Sequence, residues 1–288
     1  MIAAFRLTSN TDPEERLEEA ALWKAMHDEY GDAIMALRED DKGDPSVPTF
    51  GRAMRIPSES GRNPVSERLE YWNDAAFLAE TRRRFSVVPF DRVSAEVGKL
   101  HADGLGAFVK STRSKHAIFR IPLGDRVQDV IGEMAYSFID GGPSLMVQEL
   151  CEMRMEHRFF CIDRKIVTDS PVQWALTPLD HPLPEGTAYE TPAAKRAIQA
   201  CPDVREALAE VATRIARNME FPHAAIDCAL INGRPGAIEL NPMRLGQLGL
   251  YAADVRALAR ASRKLLPEPA HTEDRAFPDE DCLEPFGM

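Results

Sequence analysis

Three polar side chains in the stretch AAIDCALINGRPGAIELNPM, residues 224–243, have the types and spacing of a hard-cation site: Asp227, Glu239 and Asn241. AIDCALI is an apolar-rich run, Asn232 to Gly236 is a turn-rich break, and GAIEL is a second short strand, so the stretch reads as a β-hairpin. Strand side chains alternate between faces, which puts Glu239 and Asn241 on one side and Leu240 on the other. Pairing around the turn brings Asp227 near Glu239 across the ladder. Two carboxylates and an amide oxygen on one face suit Mg²⁺, an ion that usually arrives with nucleotide phosphates. The same pattern also describes an edge hairpin whose acids simply face water.

Cationic groups that could meet such phosphates lie upstream. Lys110 ends the strand AFVK, Arg113 lies in the polar loop STRS, and Lys115 precedes the β run HAIFRI. A short basic turn between two strands can hold phosphate by charge and by backbone N–H groups. No GxxxxGK[ST] motif is present, which excludes a P-loop ATPase. Three further strands, SLMVQELC, EHRFFCI and KIVTD, read as a meander forming the floor of a pocket. In it Glu156 and Arg158 share a face and His157 takes the other, while Glu152 reads as a solvent-facing acid. The turn Asp163–Arg164 lacks glycine and reads as a loose bend. Arg52, Arg55 and Arg62 lie among Gly, Ser and Pro, either holding a substrate anion or belonging to a wet loop. Arg82, Arg83 and Arg84 read as a positive helix end favoured by the helix dipole. The histidines have no spacing that suggests a catalytic pair.

The elements that must position these residues follow from periodicity and capping. A strand is expected at Ile2–Leu7, and then a helix from Thr11 or Asp12 to about Tyr30 with Pro13 at its first position. Ala33–Leu37 reads as a strand, Ser66 to Thr81 as a helix, and Phe85–Pro89 as a buried strand. Helices are also expected over Asp125–Phe138, Thr191–Cys201 and Tyr251–Leu265. The strongest amphipathic signal follows Asp203, with Val204, Leu208, Val211, Ile215 and Met219 on one stripe. The expected organisation is an N-terminal α/β domain over residues 1–90, a larger domain over 91–266 with subdomains of about 91–143 and 144–266, and an acidic, loosely attached tail over 267–288.

Composition bounds the rest. The 288 residues are 44% hydrophobic and 28% charged, as in a soluble globular protein. A net charge of -11 argues against nucleic-acid or anionic-membrane binding through overall charge. Five cysteines without a CxxC pair indicate neither a zinc cluster nor a disulfide framework. The first apolar run is too short for a signal peptide, and no run reaches membrane-spanning length, so a cytoplasmic location is expected. A homodimer is the default oligomer.

The order of these motifs matters more than any one of them. A lysine-bearing strand, a second basic position, VQEL, an E-x-R strand, a long helix and D-x-A-L…A-I-E-L-N-P together resemble the ATP-grasp superfamily of ATP-dependent carboxylate–amine or carboxylate–thiol ligases. The resemblance runs from Ala107 to about Leu265, and ELNP is its most specific piece. It implies an α/β (α+β) fold in which nucleotide lies between two antiparallel-sheet subdomains. It implies that Lys110, with Lys115 and Arg113, meets the ATP phosphates, that Glu149 and Leu150 receive adenine at a hinge, and that Glu156 approaches the ribose. Asp227, Glu239 and Asn241 would hold one or two Mg²⁺. Arg244, just after the NP, and Arg158 would stabilise the acyl oxyanion. The substrates implied are a small-molecule or peptide carboxylate and an amine, joined through an acylphosphate with release of ADP and phosphate. Alternatives are a kinase that stops at phosphoryl transfer and an inactive nucleotide-binding scaffold. The link STRSK departs from the family's glycine-rich loop, and the compressed pattern resembles the small ATP-grasp proteins found in phage and bacterial genomes.

Overall fold

The computed structural model describes residues 2–7, 12–51, 54–56, 69–112, 118–130, 132, 144–173, 176–178, 202–245 and 248–266. Arg52, Arg62, Arg113, Lys115, the helix expected over Thr191–Cys201, most of that over Asp125–Phe138, and the tail lie outside these residues. No helix among the described residues is long and apolar enough to cross a membrane.

Among the described residues the strands form three sheets. The first is parallel, with β1 (Ala3–Arg6) between β2 (Ile34–Leu37) and β3 (Thr49–Gly51). Its central strand has Ala3, Ala4 and Phe5 buried, as the middle of a parallel sheet requires. The long helix α1 (Pro13–Tyr30) covers it with Leu22, Ala25 and Met26, while Leu17 is exposed.

The second sheet is antiparallel in the order β4 (Phe85–Val88), β7 (Leu145–Glu149), β5 (Ala107–Ser111), β6 (Ile118–Ile121). The helix α3 (Val93–Ala102) packs Val93, Val97 and Leu100 against it. That helix was not anticipated from the sequence, although its apolar residues keep helical spacing. The helix expected from Ser66 is shorter: a 3₁₀ turn at Tyr71–Asn73 precedes α2 (Ala75–Glu80). Asp74 caps α2 through Phe77 N–H at 3.0 Å, and its other oxygen accepts from Glu220 N–H at 2.8 Å.

The third sheet, also antiparallel, has the order β11 (Arg234–Asn241), β10 (Ala224–Ile231), β8 (Met153–Ile162), β9 (Lys165–Pro171). Helix α4 (Pro202–Asn218) buries Leu208, Val211, Ala212, Ile215 and Ala216 on one face of it, as its periodicity predicts. The other face takes Phe160, Ile162 and Ala225 into the core shared with α1 and with α5 (Val255–Ala261). The last helix starts at Val255 rather than Tyr251, because Asp254 caps it through Arg256 and Ala257 N–H.

Both hairpin turns in this sheet are tighter than the sequence suggested. Asn232 and Gly233 have φ of 48° and 78°, so the turn is two residues long and Pro235 and Gly236 already belong to edge strand β11. Asp163 and Arg164 form the same kind of turn, with φ of 54° and 58°, and not a loose bend. Tertiary contacts hold it. Arg164 N–H donates to Pro222 O at 2.9 Å, and Asp163 N–H donates to His223 Nδ1 at 3.0 Å.

That last bond requires an unprotonated Nδ1, and burial holds the His223 pKa below its usual 6.5. The unfolded chain therefore binds a proton that the folded chain refuses. Stability should fall as pH drops from 6.5 through the folded pKa, and His223→Gln should flatten that part of the profile. Urea midpoints measured across this pH range check it; a wild-type profile no steeper than that of the variant excludes His223 as the cause.

Candidate functional site

The hairpin brings Asp227 and Glu239 together only because it is irregular. Counting back from the tight turn, Ile231 faces Arg234 and Ala229 faces Gly236, a register that would set Asp227 opposite Ile238. A bulge after Cys228↔Ala237 adds Ile238 to β11, and beyond it Asp227 faces Glu239 and Ala225 faces Asn241. One extra residue thus rotates Glu239 and Asn241 onto the face of Asp227. Ala225, small and fully buried opposite Asn241, leaves room for the cluster.

Arg83 secures this bulge. Its Nη1 donates to Ala237 O at 2.6 Å and its Nη2 to Ile238 O at 2.7 Å, while Nε donates to Gln148 Oε1 on β7 at 2.8 Å. The side chain therefore ties the edge of the third sheet to the second. It is buried, and burial holds its pKa below the usual arginine value. The expectation of a solvent-facing positive helix end is wrong for this residue: α2 ends at Glu80, and Arg82 turns the chain with φ of 52°.

The candidate residues meet across the two sheets. Lys110 Nζ on β5 lies 2.7 Å from Glu239 Oε2 on β11, and both side chains are mostly buried, at 14% and 17% exposure. Burial opposes the charge on Lys110, but Glu239 and Tyr71 together raise its pKa. The Tyr71 ring lies under the ammonium, 6.0 Å from its centroid. Asn241 Nδ2 donates to Asp227 Oδ2 at 3.0 Å and to Glu239 Oε1 at 3.1 Å, so the amide bridges the carboxylates. Among the described residues no three His, Cys, Asp or Glu side chains gather as a metal site. The donor set here is instead two carboxylates and an amide. With that amide turned to present its oxygen, it fits a hard divalent cation.

Arg158 is engaged with the cluster. Its Nε and Nη2 fork onto Asp227 Oδ1 and Oδ2 at 2.7 and 2.8 Å, and Nη1 donates to Gly249 O at 3.1 Å. Burial opposes its charge, but Asp227 more than compensates and the pKa lies above the usual arginine value. Tyr251 stacks over the guanidinium at 5.6 Å. From α1, Glu18 accepts from Leu250 and Tyr251 N–H at 2.9 and 2.7 Å and so fixes the same loop. Burial raises the Glu18 pKa, against those two bonds and the Arg158 charge.

The remaining candidates are spread along the rims. Glu149 ends β7, where its N–H donates to Arg84 O at 3.0 Å, and Leu150 N–H donates to Gly106 O at 2.9 Å. Their backbone donors thus serve the sheet, and Arg84 N–H also reaches Glu149 Oε2 at 3.4 Å. Glu156 is exposed at a second bulge, on β8, beside Met155 with φ of 57°. Arg244 is partly buried just after β11, with its N–H on Pro242 O at 2.8 Å. Arg55 donates to Asp44 O at 2.9 Å. Glu152 faces solvent as expected. His157 lies on the opposite face, bonded to Asp169 at 2.7 Å, which Arg205 of α4 grips from the other side. Glu18, Tyr71 and Arg83 escaped the sequence reading. The signals available were a polar residue within an apolar helix stripe for Glu18 and an arginine just before a strand for Arg83; that strand, β4, was expected to be buried but is an edge strand and only half-buried throughout.

The chain has the ATP-grasp fold. Solved structures similar to it include a RimK domain ATP-grasp protein from Sphaerobacter thermophilus, at 12% identity and TM-score 0.54, covering 90% of this chain and 99% of that one. The D-cycloserine synthetase DcsG aligns at 16% identity and TM-score 0.56, covering 91% and 100%. The ATP-grasp ligase PsnB, in complex with a minimal precursor, aligns at 11% identity and TM-score 0.54, covering 92% and 100%. No family model and no curated protein matches the sequence.

Replacing Arg83 tests the bulge. Arg83→Met strands the Ala237 and Ile238 carbonyls and should cost about 3 kcal/mol, since a buried polar group left unpaired costs about 1–3 kcal/mol. Arg83→Lys should recover only part, because one ammonium cannot span three acceptors. Urea unfolding measures both; a loss near zero for Arg83→Met would mean that the bulge holds itself.

Proposed function

We propose that the protein is an ATP- and Mg²⁺-dependent ligase that activates a carboxylate as an acylphosphate and joins it to an amine. The observation that carries this reading is the meeting of Lys110, Glu239, Asp227 and Asn241 between two antiparallel sheets of the ATP-grasp fold. The neighbours DcsG, a D-cycloserine synthetase, and PsnB, an ATP-grasp ligase, support the reaction class.

A carboxylate is a poor acyl donor because substitution would have to expel oxide. Transfer of the γ-phosphoryl group of ATP to the carboxylate oxygen breaks the γ-phosphorus–oxygen bond and releases ADP. The amine then attacks the carbonyl carbon, phosphate leaves with the former carboxylate oxygen, and the amine gives up a proton. In this chain Lys110 supplies fixed positive charge to the phosphates, aided by Arg113 and Lys115. Asp227, Glu239 and Asn241 would hold Mg²⁺, which when bound neutralises charge on phosphate oxygens. Glu156 takes the ribose, and Glu149 with Leu150 borders the base. The N-terminal parallel sheet with α1 would form a wall of the acyl side, and Glu18 of α1 together with Arg158 pins the loop 248–251.

Arg244 is the preferred donor to the oxyanion that forms when the amine attacks; such a donor lowers a barrier by about 3–4 kcal/mol. Arg158 is a positioning residue in this scheme, because its fork is committed to Asp227.

Calorimetric titration with a nonhydrolysable ATP analogue, with and without Mg²⁺, tests the reading. Wild type should bind in a Mg²⁺-dependent manner, and Glu239→Ala should weaken that binding by at least about 100-fold with the fold retained. ADP release should then require both a carboxylate and an amine. Unchanged Mg²⁺ dependence in the variant removes Glu239 from the metal site, and ADP release with a carboxylate alone favours a kinase.

A further inference from the structure

The charges at the centre of the site cancel. Asp227 and Glu239 are paired by Arg158 and Lys110, each through contacts of 2.7–2.8 Å, and the Asn241 amide lies across both acids with its N–H donors toward them. A bare divalent cation approaching this cluster meets no net negative charge from these four groups, a lysine ammonium beside Glu239, and an amide turned the wrong way. A nucleotide changes each of these conditions. Its phosphates compete for the Lys110 ammonium, add the negative charge that the cluster lacks, and give the cation further oxygen ligands.

We infer that Lys110 holds the place of the divalent cation at Glu239, so that the cation enters the site only together with the nucleotide. The inference rests on the nucleotide and metal reading above and adds to it an order of binding and a resting state. Arg158 does not share this role. It forks onto Asp227 from a buried position and also holds Gly249 O, whereas Lys110 reaches Glu239 from the opposite sheet on a flexible stem. The lysine thus has a second partner to move to, and the exchange costs little because one charge-assisted bond replaces another. The resting ion pair also spares Glu239 from being left charged and unpaired between the sheets.

Mn²⁺ titration of the full chain, followed by the paramagnetic resonance signal of the free ion, tests this without any turnover. Wild type should bind Mn²⁺ at least about tenfold more tightly with a nonhydrolysable ATP analogue than without it. Lys110→Met should bind Mn²⁺ alone about tenfold more tightly than wild type, within the usual range for two ligands coupled at one site. Lys110→Arg, which keeps the charge, should stay near wild type. Thermal melts verify folding, and Lys110→Gln, which leaves Glu239 a hydrogen-bond donor, replaces the Met variant if that one is unfolded.

Equal Mn²⁺ affinity in wild type with and without the analogue overturns the inference alone. So does the absence of any gain in the Lys110 variants, provided that binding with the analogue still depends on Glu239. If Glu239→Gln alters Mn²⁺ binding under no condition, the metal reading itself fails and the inference with it.

Discussion

One bulged residue, Ile238, decides on which face of the hairpin Glu239 and Asn241 stand. With a regular ladder from the Asn232–Gly233 turn, both would lie across the sheet from Asp227, and no cluster would form. A bulge in an edge strand leaves carbonyls without ladder partners, and in this hairpin they are Ala237 O and Ile238 O. Arg83 satisfies both with a single guanidinium while its third nitrogen reaches Gln148 on the other sheet. A lysine has neither the planarity nor the donors to do this. The same side chain therefore fixes the register of the acids and the distance between the sheets that carry Glu239 and Lys110. Burial of so large a cation is tolerable because its donors find fixed acceptors.

The rest of the cluster is built on that register. Asp227, Arg158 and Ser170 occupy successive strands in one row, and Glu239 extends the row at the edge. Asp227 is 1% exposed, and the Arg158 fork gives this buried carboxylate both a counter-charge and two hydrogen bonds. The row also organises the loop beyond the hairpin. Ser170 Oγ accepts from Ala252 N–H at 2.9 Å, Thr168 Oγ1 accepts from Asp254 N–H at 3.0 Å, and Arg158 takes Gly249 O. A Cβ on Gly249 would lie 2.7 Å from the Tyr251 ring, so the ring that stacks on Arg158 requires glycine at this position.

Much of this was legible in the sequence, and what was missed has physical causes. The hairpin of residues 224–243, the stripe of α4, the lysine near the end of β5 and the Glu-x-Asn alternation are local patterns, and local patterns survive in a string of letters. The bulge is not local. Its carbonyls are taken by Arg83, about 150 positions earlier in the chain. For the same reason Arg83 looked like a helix-end charge: nothing adjacent to it records its distant acceptors. The Asp163–Arg164 turn was read as loose because neither residue is glycine, yet His223 and Pro222 supply the bonds that hold its left-handed backbone. The helix α3 was overlooked between two strands although its spacing was ordinary, which is an error of reading and not of physics.

The assignment of Arg158 shows how geometry separates two roles that a motif leaves merged. An arginine two residues after an acid on a pocket strand suits either an oxyanion donor or an anchor for a neighbouring carboxylate. To serve the first role, its donors must point to where charge develops during reaction. Here Nε and Nη2 fork onto a buried carboxylate and Nη1 is bonded to a backbone carbonyl. Withdrawing it toward a substrate would leave Asp227 charged and unpaired in the interior, a cost of several kcal/mol that a transition-state contact would first have to recover. The anchor role needs no such exchange. Lys110 stands in the contrary position: its partner Glu239 is on the edge strand of the third sheet, partly open to solvent. In this cluster the fixed cation is the arginine within the sheet, and the exchangeable one is the lysine that crosses to it.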